Sequence, residues 1–243
     1  KLSNAKSIKF KHNDIDHVES LLKKHRKKYL HCFILTEGVF SMDGDRGKIK
    51  ELAFLANKYN ASIILDDAHG FGVLGNGRGS LYELNPIPEI LIQMGTLSKA
   101  IGSYGGFVTA PKTIIKLLHN KARSLIYTTG LPPGTLAASI KSLEIIMANS
   151  EITQKPYKYA KLFCEKAELP IPESSIVSII MYSEENAIKA SKLLEKHGYY
   201  IGAIRPPTVP KNTSRLRFTF SAAHKKKDII NLAELTKNIL NGM

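Results

Sequence analysis

Along the first half of the chain, short apolar runs alternate with longer amphipathic segments. Ile49–Tyr59 carries apolar residues at helical spacing, and Pro111–Ala122 opens with a proline, which is common in the first turn of a helix. The apolar runs have the length of buried strands. They are His31–Thr36, Ala61–Asp67, Glu89–Met94 and Gly105–Ala110. Strands separated by helices predict an α/β fold with a mainly parallel sheet and helices on its faces.

From about Pro133 the pattern changes. A long helical segment, Gly134–Ser150, precedes a second α/β portion, whose helix Glu184–Gly198 ends at a glycine. The strands predicted there are Ser174–Tyr182, Tyr199–Ile204 and Ser214–Phe220, and a lysine-rich helix runs to about Leu240. We therefore expect residues 1–150 to form a large domain, or part of one, and residues 151–243 a smaller C-terminal domain.

Composition narrows the class of protein. The chain has 243 residues, of which 43% are hydrophobic and 23% charged, as in globular domains with a buried core. No stretch reaches the roughly 18 continuous apolar residues of a membrane span, and the opening KLSNAKSIKFKHND does not have the pattern of a signal peptide. Cys32 and Cys164 fit neither a metal site nor a disulfide framework. We expect a cytoplasmic protein with reduced thiols, no structural metal and no membrane partner.

The formal net charge is +14, and the run Lys23–Lys28 concentrates part of it. The run has two interpretations: a solvated helix face, which we favour, or a surface that receives a polyanion such as a nucleotide-tailed cofactor or an acidic carrier protein. No zinc-finger, helix-turn-helix or aromatic-interleaved basic motif accompanies it, so we do not expect a nucleic-acid partner.

Chemically active residues follow three consecutive predicted strands. In open parallel sheets, ligands bind where the carboxyl ends of the strands meet. The sequence therefore predicts one site that gathers these side chains. They are Ser41 after the first strand, Asp66, Asp67 and His69 after the second, and Thr96, Ser98 and Lys99 after the third.

The residue types in this set suit pyridoxal phosphate (PLP). Lys99 is flanked by small and apolar residues, which predicts a confined amine of lowered pKa that forms Schiff bases with carbonyls. Asp66 ends an apolar strand, and a protonated ring nitrogen would satisfy it. His69 reaches the same cavity across a tight turn that Gly70 and Gly72 permit. The glycines at 102, 105 and 106 resemble a phosphate-binding loop, which alone is weak evidence.

Four motifs in order carry a family resemblance: TEGVFSMDGD, DDAHGFGVLGNGRGS, T-x-S-K and AIRPPTVPKNTSRLRFTFSAAH. Together they resemble the α-oxoamine synthases, which belong to the fold type I PLP enzymes and to the class II aminotransferase family. The resemblance runs from about Phe10 to the C-terminus. It implies a PLP-dependent acyltransferase with a large domain and a smaller C-terminal domain. Members of the family carry roughly a hundred further residues before this start, so the chain resembles the larger C-terminal part of such an enzyme.

The resemblance also implies a role for individual residues. Lys99 matches the catalytic Schiff-base lysine, Asp66 the carboxylate facing the pyridine nitrogen, and His69 the residue at the phenolic oxygen, where it assists proton transfer. Ser41 and Thr96 match hydroxyls that contact the cofactor. Further matches lie later in the chain: Thr208 as a substrate contact, Arg205 as a candidate for the substrate carboxylate, and Tyr127–Gly130, with Thr129, as the segment that one subunit of a homodimer offers to the other's cofactor phosphate.

Three functions stay open at this point. The motifs DDAHGxGVLG, GRGS and LIYTTGLPP most resemble the member that condenses L-alanine with a pimeloyl thioester, carried by coenzyme A or an acyl-carrier protein. A sister synthase would use glycine instead, as 2-amino-3-ketobutyrate ligase and 5-aminolevulinate synthase do; those enzymes tend to differ at Gly70–Gly72. A third hypothesis, from another class, is a non-catalytic basic fragment that binds through Lys23–Lys28.

Overall fold

The computed structural model describes residues 3–243, which fold around two sheets. Helices and strands follow one another along the chain. In order they are α1 (Ile15–His25), β1 (Phe33–Glu37), α2 (Ile49–Lys58), β2 (Ser62–Asp66), β3 (Ile92–Thr96), β4 (Gly106–Thr109), α3 (Lys112–Lys121), α4 (Arg123–Ile126), α5 (Pro133–Ala148), α6 (Ser150–Lys166), β5 (Ile176–Tyr182), α7 (Glu184–Lys196), β6 (Gly202–Ile204), β7 (Ser214–Thr219) and α8 (Lys226–Asn241).

The first sheet has four strands in the order β1-β2-β3-β4. β1, β2 and β3 are parallel, whereas β4 returns antiparallel to β3. The register places Glu37 beside Asp66, and Asp66 beside Met94, so the carboxyl ends of the parallel strands are level. This alignment positions the residues that follow each strand at one edge of the sheet.

One face of this sheet is covered by helices α1 and α2. Alternation along β1 buries Ile34 and exposes Leu35, whose exposed fraction is 62%. Parallel sheets are ordinarily covered on both faces. The opposite face of β1 is thus an apolar surface that the described residues leave open. The core on the covered side comprises Val18, Leu22, Ile34, Ile49, Leu52, Leu55, Ala56, Ile63, Leu65 and Leu81.

The second sheet has the order β5-β7-β6 and is antiparallel throughout. Helices α6, α7 and α8 pack against it around a separate core that contains Phe163, Leu194, Leu216 and Phe218. Helix α7 begins with a side-chain cap, because Ser183 Oγ accepts a hydrogen bond from the backbone N–H of Asn186.

Every strand predicted from the apolar runs is present, with ends shifted by at most three residues. Within the second portion, the sequence pattern did not delimit α6 as a separate helix. The domain boundary near residue 150 stays a prediction, although α6 begins there, after an Asn149 cap. Among the described residues, no helix is both long and apolar enough to cross a membrane.

Candidate active site

The polar residues that follow β1, β2 and β3 form one cluster. Glu37 and Asp66 are register neighbours at the ends of β1 and β2, and the chain beyond β3 brings Lys99 close enough for both carboxylates to influence its charge. The charges of Lys99, Asp66 and Arg217 all act on the pKa of His69. The convergence of three strand ends that the sequence predicts is thus present in the structure.

Asp66 and Asp67 point to different environments. Asp66 is half-buried, and its Oδ1 accepts the N–H of Ala68 at 2.9 Å; among residues 3–243 it makes no other side-chain hydrogen bond. Asp67 is fully buried and accepts three bonds, from Ser80 N (2.9 Å), Ser80 Oγ (2.5 Å) and Gln93 Nε2 (3.0 Å). Burial raises the pKa of Asp67 despite these donors. Asp67 is therefore a structural anchor, and Asp66 is the carboxylate available to a ligand.

The Asp67 anchor fixes the turn that carries His69. Gly70, in that turn, and Gly38, just after β1, lie so close to Asp67 and Ser80 that a Cβ at either position would collide with both side chains. Phe71 N and Gly70 N both donate to the carbonyl of Asp67, which closes the turn. Gly70 of the DDAHGFG motif thus permits close packing around the Asp67 carboxylate.

His69 is half-buried, and its pKa is lowered to about 4. The largest cause is burial, followed by the positive charges of Lys99 and Arg217, with Asp66 opposing them. The imidazole is therefore neutral near pH 7. A neutral imidazole offers one N–H donor and one acceptor nitrogen, which suits a hydrogen bond to a ligand oxygen.

Lys99 also has a lowered pKa, first because of partial burial, with Asp66 and Glu37 pulling in the opposite direction. The side chain is nevertheless exposed, so the confined position that its flanking sequence predicted is wrong for the described residues.

The hydroxyl groups predicted at the site lie at its borders. Thr96 Oγ1 lies 2.7 Å from Ser98 Oγ, accepts Ser98 N–H at 3.1 Å and donates to the carbonyl of Gly105 at 3.1 Å. Ser41 N donates to Glu37 Oε2 at 3.3 Å. Thr96 and Ser41 therefore flank the Lys99 cluster from two different strand ends.

Sequence reasoning missed two members of the cluster, Glu37 and Arg217. Burial raises the pKa of Glu37, and nearby Asp66 adds to this effect. Arg217, on β7, is half-buried; burial lowers its pKa, and its Nε donates to Ser41 O at 2.5 Å. An arginine at an alternate position of an apolar strand signals a buried charge that needs a partner, but the partner cannot be read from the sequence.

Three predicted residues are not joined to this cluster by any hydrogen bond or ion pair within residues 3–243. Thr129 is exposed in the exposed segment Tyr127–Gly130. Arg205 and Thr208 are exposed beyond β6, where Thr208 N donates to the carbonyl of Arg205 at 3.0 Å. The roles of these three residues stay predictions.

Curated relatives are similar to almost the whole of this chain. An 8-amino-7-oxononanoate synthase of Granulibacter bethesdensis is 48% identical over 99% of this chain and 62% of its own length. One of Methylocella silvestris is 46% identical over 98% of this chain and 68% of its own length. The chain therefore spans about three-fifths to two-thirds of these relatives.

Solved structures share the fold. A serine palmitoyltransferase of S. paucimobilis with bound PLP superposes with a TM-score of 0.88 at 27% identity, covering 95% of this chain and 60% of that one. An 8-amino-7-oxononanoate synthase of Francisella tularensis gives a TM-score of 0.79 at 28% identity, covering 99% and 70%. These likenesses confirm the predicted α/β architecture of fold type I transferases.

The family profile for aminotransferase class I and II matches residues 1–235. With nearly the entire sequence inside that profile, the chain belongs to the class I and II aminotransferase family.

Proposed function

We propose that the protein containing this chain is a PLP-dependent acyltransferase of the 8-amino-7-oxononanoate synthase type, acting in biotin biosynthesis. The observation that carries the proposal is the meeting of Lys99, Asp66 and His69 at the ends of parallel strands, in a chain 48% identical to such a synthase. The reaction joins L-alanine to a pimeloyl thioester and releases carbon dioxide and the thiol.

The residues present fit PLP. Asp66 is half-buried and has one oxygen without a partner among the described residues, as a carboxylate facing a pyridinium would. His69, neutral and half-buried, offers a donor to a phenolic oxygen, and Lys99 offers an amine to an aldehyde. Thr96 and Ser41 add hydroxyl groups at the border. When bound, the cofactor supplies an electron sink for the carbanion that proton loss from the amino acid generates.

Lys99 is the proton carrier in this proposal. Its lowered pKa raises the fraction of free amine near neutral pH, and the free amine takes the α-proton of alanine. Asp66 and Glu37 attract the ammonium form that results, so the same side chain can later return the proton. Exposure of Lys99 on the described surface gives the substrate access to it.

Arg217 is the arginine best placed for the substrate carboxylate. Its guanidinium faces the Lys99 cluster, is half-buried, and is oriented by the carbonyl of Ser41. A fixed guanidinium can hold a carboxylate through two parallel bonds. Arg205, predicted from sequence for this role, and Thr208, predicted as a substrate contact, remain proposals for substrate binding from the β6 side.

A homodimer with shared sites is also part of the proposal. Tyr127 is 77% exposed, and three apolar residues in the same stretch of chain, Leu125, Ile126 and Leu136, are 43% to 48% exposed. Exposed apolar groups in one region are typical of surfaces that bind another protein. Thr129 would then lie at the partner's cofactor phosphate. Sedimentation equilibrium of the complete protein tests this, and a monomer with full activity would contradict it.

Free Cys32 and Cys164 support the placement of the enzyme in the cytoplasm, since unpaired cysteines are typical of reducing compartments. The preference for alanine over glycine rests on the named relatives.

The test uses the complete protein, with absorption spectra in the presence of PLP before and after alanine or glycine, and thiol release from pimeloyl thioester. We expect visible absorption, and thiol release with alanine. Borohydride should fix PLP to Lys99, and Lys99→Ala should lose this bond and slow turnover by about 10²- to 10⁴-fold or more. Release with glycine alone would favour the sister synthases, and a colourless protein would favour the binding fragment.

A further inference from the structure

The loop after β1, Ser41–Arg46, is held by side chains that lie on the C-terminal sheet or just before it. Ser178 Oγ donates to Met42 O at 2.5 Å, and Ser174 Oγ donates to Gly44 O at 2.7 Å. Arg217 Nε donates to Ser41 O at 2.5 Å. Three carbonyls of one six-residue loop therefore receive donors from residues more than 120 positions away in the chain.

Arg215 makes the strongest of these attachments. Its side chain is 5% exposed, and Nη1 donates both to Met42 O at 3.1 Å and to Asp43 Oδ1 at 2.5 Å. Its Nε donates to Thr213 O at 3.1 Å. Asp43 is the only carboxylate paired with this guanidinium among the described residues, and a buried cation without a partner is strongly unfavourable. The ion pair between Asp43 and the buried Arg215 guanidinium thus holds the loop against β7.

The loop leads directly into the Lys99 cluster. Ser41 links Glu37 to Arg217. Its N–H donates to Glu37 Oε2 at 3.3 Å, and its carbonyl accepts a hydrogen bond from Arg217 Nε. Arg215 and Arg217 are alternate residues of β7, so both side chains project from the same face of the strand toward the loop. A shift of Met42 or Asp43 would therefore displace Ser41 from both Glu37 and Arg217.

We propose that Arg215 is a positioning residue: through Asp43 and the Met42 carbonyl it fixes the loop Ser41–Arg46 on the C-terminal sheet, and so sets Ser41 and Arg217 for cofactor and substrate carboxylate. Its effect on ligand binding rests on the proposed function, whereas its effect on the loop does not. Arg215 does not touch the reacting atoms, and it acts only through the loop.

The main variant is Asp43→Ala, because Asp43 is 44% exposed and its loss does not open the core, while buried Arg215 keeps the carbonyls of Met42 and Thr213 as acceptors. In the cofactor-free protein, hydrogen exchange should become faster at the amides of Gly44 and Arg46, which are bonded to Phe40 O and Glu173 Oε2. With PLP bound, the Kd of alanine should rise by about 5- to 30-fold, with a smaller change in kcat. Asp43→Asn should restore part of the affinity, because its side-chain carbonyl still accepts from Arg215.

Glu168→Ala is the matched control. Glu168 pairs with Lys237 at 2.5 Å, also in the C-terminal part, but neither residue touches the loop. The proposal is overturned if both variants change exchange and alanine affinity equally, or if Asp43→Ala accelerates exchange throughout β5–β7, which would indicate global destabilisation. A wild-type protein that fails to bind PLP would refute the proposed function, while the exchange experiment would still decide whether Arg215 positions the loop.

Discussion

Asp66 and Asp67 differ in role because strand alternation sends their side chains to opposite sides. Asp67→Asn keeps the size of the side chain but replaces one acceptor oxygen by an amide donor. That amide would face the hydrogen-bond donors of Ser80 and Gln93, which now point at the carboxylate. We expect it to lower the free energy of unfolding by about 1–3 kcal/mol. Asp66→Asn should leave that free energy nearly unchanged and strongly slow exchange of the α-proton of alanine.

Urea unfolding of both variants and deuterium incorporation at the alanine α-carbon separate the two effects. The assignment is wrong if Asp67→Asn is stable and slows α-proton exchange while Asp66→Asn destabilises the fold.

His69 links folding to pH. Its pKa falls from 6.5 in the unfolded chain to about 4 in the folded protein, so the unfolded state binds more protons between these values. The stabilisation associated with neutral His69 is therefore complete above pH 6.5 and is lost as the pH falls toward 4. Because the side chain is partly exposed, we expect about 1–2 kcal/mol in total.

The measurement is the free energy of unfolding of the cofactor-free protein at pH 7.5 and pH 4.5, for wild type and His69→Gln. Glu37 and Asp67 titrate in the opposite sense, since their pKa values are raised, but they contribute equally to both proteins. A smaller acid-side loss in the variant supports the assignment, and identical losses contradict it.

At this scale the sequence predicts Asp66, His69 and Lys99 because each is close in the chain to a strand end and belongs to a distinctive local motif. Glu37 and Arg217 were not predicted, because their place in the cluster depends on contacts that form only in the folded chain. Arg217 meets Ser41 across 176 positions, a contact that no local pattern encodes. The exposure of Lys99 was missed for the same reason, since flanking residues do not show what packs over a side chain.

At the scale of secondary-structure elements, close contact with the Asp67 anchor positions the end of β1. A Cβ at Gly38 would overlap Asp67 Oδ1 and Ser80 Oγ. Gly38→Ala should therefore lower the free energy of unfolding by about 1–3 kcal/mol, the usual cost of overpacking, and weaken PLP binding by displacing Glu37 and Ser41.

Gly134→Ala is the matched control, because Gly134 lies in the first turn of α5 with no atom within 4 Å of its Cβ position. Alanine there should be neutral or stabilising by up to about 1 kcal/mol. Thermal unfolding and PLP titration of both variants check the prediction. Equal stability of the two variants would show that Gly38 is not required for packing.

The elements were predictable in kind and order because buried strands leave apolar runs and amphipathic helices leave a 3.6-residue period. The direction of β4 was not, because an antiparallel return and a parallel strand leave the same apolar run in the sequence. Its pairing, Gln93 beside Thr109 and Thr96 beside Gly106, becomes evident only in the sheet.

At the scale of the whole molecule, the basic run and the Lys99 cluster lie at opposite ends of the first sheet. The basic run Lys23–Lys28 ends α1 and lies at the amino-terminal edge: Arg26 donates to the carbonyls of Tyr59 and Asn60, which precede β2. The Lys99 cluster lies at the carboxyl-terminal edge. Each strand between them has five residues, which is about 16 Å of extended chain. The run is therefore remote from the chemistry.

Two of the basic side chains in the run already have partners within the chain. Arg26 is held by backbone carbonyls, and Lys23 forms an ion pair with Glu19 at 3.2 Å. At physiological ionic strength, the Debye length of about 8 Å is shorter than the distance to the Lys99 cluster. The structure thus favours the interpretation of a solvated surface over one that recruits a polyanionic acyl donor.

We therefore expect a variant with Lys23, Lys24, Lys27 and Lys28 changed to glutamine to keep kcat/KM for the thioester within about twofold of wild type at physiological salt. The salt dependence of kcat/KM should also keep its slope, because the field at the site comes from nearer charges such as Arg217 and Lys99. Measurements from 20 to 500 mM salt, roughly the range over which the Debye length falls from about 20 to about 4 Å, decide the matter. A large drop in kcat/KM at low salt, together with a flatter slope in the variant, would establish that the remote lysines steer the donor toward the enzyme.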